Sequence, residues 1–155
     1  MSNQLTVAAT ATTPADRQTV WSLVSDANTY PHWGPWNDGG YRPAASGPSV
    51  PGSIQWFRFG RRTISVEEVV EVDPHRRIAY RVVKGLPVRN YRAEVTLEDA
   101  AEGTAIHWSA TWDNTLLGRV VHRKLVQLYP VIVQALAAGA TKEQTPSRQI
   151  RDTGV

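Results

Sequence analysis

The chain has 155 residues and no cysteine, so it is long enough for one domain with a substantial core and cannot contain disulfide bonds or cysteine-ligated metal sites. Its 17 basic and 14 acidic residues give a formal net charge of +3 and are scattered along the sequence, which argues against nucleic acid as a partner. Because no apolar run opens the sequence, we expect neither a signal peptide nor a membrane span, and therefore a cytoplasmic protein.

The first fifty residues predict two strands, the second of them weakly signalled, two helices and a loop. Apolar and polar residues alternate over residues 5–12, which is typical of a half-buried strand. A helix follows to about Ser25, and a second, short helix begins at Asp26. Residues 36–41 carry a weak strand pattern, and the Pro-, Gly- and Ser-rich residues 42–52 predict a loop.

The middle of the chain predicts consecutive hairpins. Five strand patterns follow one another, at residues 53–59, 62–72, 77–83, 90–98 and 104–112. In the last two, an apolar face separates clearly from a more polar one. One apolar and one polar face indicate an antiparallel sheet that is covered on one side only.

A long amphipathic helix is predicted over residues 115–143, and it is the cover that such a sheet requires. Its apolar face also carries Gly118 and His122, and Pro130 lies in its interior on the outer face. A proline removes one backbone hydrogen bond, so we expect a bend there that arches the helix over the sheet. The predicted stripe consists of Leu117, Val121, Leu125, Leu128, Tyr129, Ile132, Val133 and Leu136. We expect a single domain over residues 1–143 and a flexible tail over 144–155.

Three short motifs resemble a known family. Residues 21–26 read W-x-L-V-x-D, residues 30–33 read Y-P-x-W, and residues 72–74 read V-D-P. They resemble motifs of the START-like (SRPBCC) superfamily, in particular its polyketide cyclase/dehydrase branch, over about residues 4–143. The resemblance implies an α+β helix-grip fold, in which a curved seven-stranded sheet wraps around the C-terminal helix and encloses a cavity for an apolar ligand. These motif residues are scaffold and transfer no catalytic group.

Glu68 is the first candidate for a catalytic residue. If Ile64, Val66, Val70 and Val72 face inward, the two-residue period of a strand places Glu68 among them. A carboxyl group facing an apolar cavity would have a raised pKa suited to proton transfer. The alternative is a β-bulge that reverses the alternation and leaves Glu68 outside with its acidic neighbours Glu67 and Glu71.

The partner of Glu68 depends on the preceding turn. A two-residue turn at Gly60 and Arg61 would place Gln55 inward and close to Glu68. A three-residue turn would instead place Arg58 inward, where it could pair with Glu68.

Aromatic residues supply the candidate ligand-binding wall. Tyr80, Tyr91, Trp108, Trp112 and Tyr129 are all predicted to face the space beneath the long helix, as ligand contacts or as plain core. His122 is a second candidate base, or else a hydrogen-bonded core histidine. Trp33 and Trp36 are candidates for the pocket mouth, or else they pack the short helices. The other histidines show no ligand spacing with carboxylates, so we expect neither metal nor cofactor.

These residues favour a protein that binds a small apolar or aromatic molecule, such as a polyketide or a lipid. We expect the protein to be a monomer or a homodimer. The alternative is a polyketide cyclase/dehydratase, in which Glu68 with Arg58 or His122 moves protons during aldol closure and water loss. A third possibility is a partner-binding adaptor without ligand, which an exposed apolar patch would indicate.

Overall fold

The computed structural model describes residues 3–153, and side chains within that range except those of Thr63 and residues 145–153. The elements are β1 (Gln4–Thr13), α1 (Arg17–Val24), a short 3-10 turn (Ala27–Thr29), α2 (Tyr30–Trp33), β2 (Asp38–Tyr41), β3 (Ile54–Phe59), β4 (Thr63–Asp73), β5 (Arg77–Lys84), β6 (Arg92–Ala100), β7 (Gly103–Asp113) and α3 (Leu116–Thr153). Each strand and helix predicted from sequence is present, with ends that differ by a few residues except at the end of α3.

The sheet is antiparallel and runs in the order β1-β7-β6-β5-β4-β3-β2. Strands β2 to β7 are each paired with their neighbour in sequence, as consecutive hairpins require. Strand β1 is paired along its whole length with β7, from Gln4 opposite Asp113 to Thr13 opposite Thr104. The curved sheet and the long helix α3 form the α+β helix-grip fold.

The N-terminal helices lie at one end of this arrangement. Asp16 begins α1 by accepting a hydrogen bond from the Thr19 amide at 2.8 Å, which pairs one of the free N–H groups of the first turn. Helix α1 then buries Trp21 and Val24. The Tyr30 hydroxyl donates to the Val24 carbonyl at 2.7 Å and fixes α2 on the end of α1.

Helix α3 lies on the concave face of the sheet and buries Val121, Leu125, Tyr129, Val133 and Leu136, among others. Leu117 was predicted to share this buried stripe, and that prediction is wrong. Its side chain is 58% exposed because the first turns of α3 overhang the edge of the cavity described below.

Helix α3 is continuous through Pro130, which is exposed, and it reaches Thr153, past the end predicted at residue 143. The bend at Pro130 stays a prediction. So does the flexibility of residues 144–155, the last two of which lie outside the described residues.

Two β-bulges interrupt the pairing of β4 with β5. Val69 is opposite Tyr80 while Glu71 is opposite Ala79, so Val70 is an extra residue on β4. A second shift between Val66 and Glu67 makes Val83 an extra residue on β5. One extra residue reverses the alternation of a strand. In β4, odd-numbered residues such as Glu67 and Val69 therefore face inward before Val70, and even-numbered residues face inward after it.

Candidate functional site

A cavity of about 390 Å³ lies between the concave face of the sheet and α3. Its wall is mainly aromatic and aliphatic and includes side chains from α2, β3, β4, β5, β7 and α3. The lining residues are Tyr30, Trp36, Phe57, Phe59, Ser65, Glu67, Tyr80, Gly85, Leu86, Pro87, Tyr91, Trp108, Leu117, Val120, Val121, Lys124, Leu125, Leu128, Tyr129 and Ile132.

The cavity has an exposed rim and a buried wall. Leu117 and Val120 are 58% and 51% exposed, and Lys124 next to them is also exposed. Gly85, Leu86 and Pro87, in the loop between β5 and β6, also line the cavity. Glu67 and Tyr80, in contrast, are buried. The most exposed part of the cavity lining is therefore at the first turns of α3.

The carboxyl group that faces this cavity belongs to Glu67, so the prediction for Glu68 is wrong. Glu68 lies on the outer face of the sheet, where both Arg81 Nε, at 2.9 Å, and Nη2 donate to its Oε1. Glu67 is only 7% exposed and lines the cavity. The bulge at Val70 is the reason. Val72 faces inward, but the extra residue shifts the alternation by one, so that Glu67 and not Glu68 faces inward before the bulge.

The turn before β4 also differs from the favoured two-residue form. Phe59 pairs with Thr63, so residues 60–62 form a three-residue connection, with Gly60 at a φ of 61°. With Glu67 inward instead of Glu68, this register places Gln55 opposite Glu67 and inside the core. Gln55 is therefore inward as predicted, beside a different carboxyl group.

Glu67 and Gln55 form a buried polar pair. Gln55 Nε2 donates to Glu67 Oε1 at 3.3 Å, and both residues belong to the core. Burial raises the pKa of the Glu67 carboxyl to about 8, although the hydrogen bond from Gln55 lowers it. A carboxyl group with this pKa is mostly protonated at neutral pH and can give up or take a proton close to it.

Three tyrosine hydroxyls lie in the same wall. Tyr91 and Tyr129 are hydrogen-bonded to each other, and Trp108 Nε1 donates to the Tyr80 hydroxyl at 3.1 Å. Burial first, and then the charge of nearby groups including Glu67, raises the pKa of each hydroxyl above its usual 10. These phenols therefore stay protonated while Glu67 titrates.

A stacked aromatic group also lines the cavity. The Tyr30 ring stacks on Phe57 with centroids 4.6 Å apart, and Trp36 lies 5.5 Å from Phe57 and 5.6 Å from Phe59. Trp36 is at the cavity as predicted for the pocket mouth, whereas Tyr30 was not predicted as a site residue. A signal for Tyr30 was available, since it is the first residue of the Y-P-x-W motif, and Phe57 follows Gln55 at the two-residue period of the inward face.

The structure brings four of the predicted site residues, Tyr80, Tyr91, Trp108 and Tyr129, to the cavity wall. Gln55 lies directly behind Glu67. Trp112 is fully buried beneath the wall, stacked on Tyr91 and donating from Nε1 to the Gly118 carbonyl at 3.0 Å.

Three other predicted residues lie away from the cavity wall. His122 Nε2 donates to the Thr6 carbonyl on β1 at 3.0 Å, and its ring lies 5.9 Å from Trp112. Trp33 packs against Gly139 and donates from Nε1 to the Thr29 hydroxyl at 3.1 Å. Arg58 lies on the outer face of β3, over the Trp56 ring at 5.8 Å.

The described residues contain no cluster of His, Asp and Glu that could hold a metal ion. Within the same part of the chain, no helix combines the length and the apolar character needed to cross a membrane.

Solved structures share this fold at low sequence identity. XoxI from Bacillus cereus is 15% identical, with a TM-score of 0.72 over 92% of this chain and 99% of its own. A Thermobifida fusca protein is 23% identical, with a TM-score of 0.71 over 91% and 95% of the two chains. Ara h 8.0201 is 17% identical, with a TM-score of 0.67 over 90% and 99%. These likenesses show the fold alone.

No curated protein matches this chain. The sequence profile of the family described as "Polyketide cyclase / dehydrase and lipid transport" matches residues 4–140, which is most of the chain. The START-like resemblance of the three motifs is thereby confirmed, and its helix-grip fold is one that binds hydrophobic ligands. The chain belongs to the polyketide cyclase/dehydrase and lipid transport family.

Proposed function

We propose that this protein binds a small apolar or aromatic molecule, polyketide- or lipid-like, in the cavity between the sheet and α3. The observation that carries the proposal is the cavity itself, about 390 Å³ of space walled by aromatic and aliphatic side chains. Cavities of this size and composition are typical of small-molecule sites, in which apolar walls supply affinity and a few polar groups fix orientation.

The exposed apolar residues of α3 support ligand binding over a ligand-free adaptor. Leu116, Leu117 and Val120 are exposed, and the last two line the cavity at its opening. Apolar side chains at a pocket mouth shorten the path of an apolar ligand through water. We therefore assign this patch to ligand access.

The direct test is a matched pair of substitutions on α3. Leu125 is buried and lines the cavity, whereas Val131 is 53% exposed on the outer side of the helix. Leu125→Trp should fill the cavity and weaken binding of naphthalene derivatives or fatty acids at least tenfold by calorimetry, while Val131→Trp leaves it unchanged. Equal affinity in a folded Leu125→Trp would contradict the proposal.

One observation favours a second candidate, the cyclase/dehydratase. Glu67 combines a pKa of about 8 with a position among tyrosine hydroxyls. As carboxylate it could remove the proton between two ketone groups, while the Tyr80 or Tyr129 hydroxyl donates to the enolate oxygen that forms. After aldol closure, the protonated acid could return its proton to the alkoxide oxygen that forms. In a second cycle Glu67 could remove the remaining α-proton and deliver it to the departing hydroxyl, so that a carbon–carbon double bond forms as water is lost.

The enzyme candidate makes a different prediction for one variant. Glu67→Gln keeps the shape of the wall and a hydrogen-bond donor but cannot exchange protons at neutral pH. If the protein turns over a β-diketone, Glu67→Gln should reduce α-proton exchange in D2O, measured by NMR, to the uncatalysed rate and retain binding. Binding without acceleration of this exchange in the wild type would assign the protein to the carriers.

A further inference from the structure

At least one hydroxyl proton of the buried cavity wall takes part in no hydrogen bond among the described residues. We propose that the wall selects an uncharged ligand that presents an acceptor oxygen, such as an aromatic ketone, to Glu67 and the tyrosine hydroxyls. This rests on the proposed ligand-binding function and narrows the ligand class, since it disfavours molecules that enter with a carboxylate or a bare alkyl chain.

The tyrosine hydroxyls have a proton left over. An indole N–H can only donate, so Trp108 occupies a lone pair of the Tyr80 oxygen and leaves the Tyr80 proton unused. The Tyr91–Tyr129 hydrogen bond uses one of the two protons of that pair. If Tyr80 also donates to Tyr129, three hydroxyls joined by two hydrogen bonds still leave one proton without an acceptor.

Glu67 adds a second donor. Gln55 donates to its Oε1, and no other hydrogen bond reaches this carboxyl from the described residues. Because its pKa is about 8, the group carries a proton at neutral pH. No hydrogen bond from that proton to another described residue is present, so a ligand oxygen placed between Glu67 and the tyrosines would satisfy donors that are otherwise unpaired.

Charge in the wall argues against an anionic ligand group at this position. The groups that face Glu67 are Gln55 from β3, Tyr30 from α2, Tyr80 from β5, Tyr91 before β6 and Tyr129 from α3, and none of them is a cation. Among the cavity-lining residues that the structure describes, Lys124 is the one cationic side chain, and it lies exposed at the rim. A carboxylate at the buried wall would lose its hydration without gaining a counter-ion, which is costly.

The test compares three probes of equal ring size. They are 2-acetylnaphthalene, 2-isopropenylnaphthalene, in which a CH2 group replaces the ketone oxygen, and 2-naphthoate, which carries a negative charge. Dissociation constants are measured by calorimetry at pH 6.5 and 9.5 for the wild type, Glu67→Gln and the outer-face control Glu68→Gln. Tyr80→Phe gives a second reading that does not depend on substitutions at Glu67.

At pH 6.5 the wild type should bind the ketone about tenfold more tightly than the isopropenyl probe, the value of one additional hydrogen bond, and bind 2-naphthoate most weakly. At pH 9.5 the ketone advantage should shrink severalfold, because deprotonated Glu67 no longer donates. Glu67→Gln should keep the advantage at both pH values, since its amide donates at both, and Glu68→Gln should follow the wild type. Tyr80→Phe should lower the advantage at both.

Two results would overturn the inference and leave the proposed function standing. One is equal affinity for the ketone and the isopropenyl probe at pH 6.5, and the other is tightest binding of 2-naphthoate. Binding of none of the three probes would contradict ligand binding by this aromatic cavity, and the inference would fall with it.

Discussion

Gln55 Nε2 lies 3.3 Å from Glu67 Oε1, and the two side chains are 2% and 7% exposed. They belong to adjacent strands, and the register of β3 with β4 makes them directly opposite. A neutral amide is a suitable neighbour for a carboxyl group that is protonated in the core, whereas Glu68, one residue along, pairs with Arg81 outside. The two acidic neighbours therefore occupy opposite chemical environments.

The pH dependence of stability should report Glu67. The carboxyl pKa is about 8 in the folded protein and near 4.5 in the unfolded chain. Between these values the unfolded chain has lost a proton that the folded protein keeps, so the free energy of unfolding falls as pH rises, by up to about 1.4 kcal/mol per pH unit. Glu67→Gln should lack this fall and gain stability relative to the wild type from about pH 5 to pH 8, in urea unfolding. Glu68→Gln is the control and should keep the wild-type slope, and a Glu67→Gln curve parallel to the wild type would refute the assignment.

The difference between the sequence prediction and the structure at Glu67 has a specific cause. Alternation in β6 and β7 predicted the inward residues there, because those strands pair without a bulge and Trp108 and Val95 follow the two-residue period. In β4 a single extra residue, Val70, reverses the alternation, and nothing in its side chain distinguishes it from Val69. The strand order and α3 follow from patterns many residues long, whereas the identity of the cavity carboxyl depends on one residue of register.

The substitution of Trp112 should be among the most destabilising in the core. The side chain is fully buried, stacks on Tyr91 with centroids 5.5 Å apart and donates to the first turns of α3. Trp112→Ala should lower the free energy of unfolding by about 3–5 kcal/mol. Trp56→Ala, on the half-buried outer face, should cost clearly less, and equal losses in denaturant titrations would contradict this placement.

Two glycines with positive φ should respond differently to the same change. Gly85 has a φ of 106°, and a Cβ there would lie 2.0 Å from the Ile64 carbonyl oxygen, whereas Gly60 has a φ of 61° and open space around it. Gly60→Ala should cost about 1–2 kcal/mol for the left-handed backbone alone. Gly85→Ala should cost more, because backbone atoms must move, and it should also weaken ligand binding, since Leu86 and Pro87 line the cavity. Similar thermal melting temperatures for the two variants would count against the tight approach at Gly85.

The imidazole of His122 should have no part in ligand binding. It donates to the Thr6 carbonyl and packs beside Trp112 behind the cavity wall. His122→Ala should therefore cost about 1 kcal/mol of stability for the lost hydrogen bond and leave ligand affinity unchanged. A tenfold loss of affinity in a fully folded His122→Ala would return this residue to the candidate site.

Methyl NMR tests the occupation of the cavity most directly. The methyl groups of Val121, Leu125 and Ile132 line the cavity, and that of Val50 is exposed elsewhere on the surface. Addition of 2-acetylnaphthalene should shift the three cavity methyls through the ring current of the bound molecule and leave Val50 in place, with saturation at one ligand per chain. Shifts confined to surface methyls, or none at ligand saturation, would contradict a ligand site between the sheet and α3.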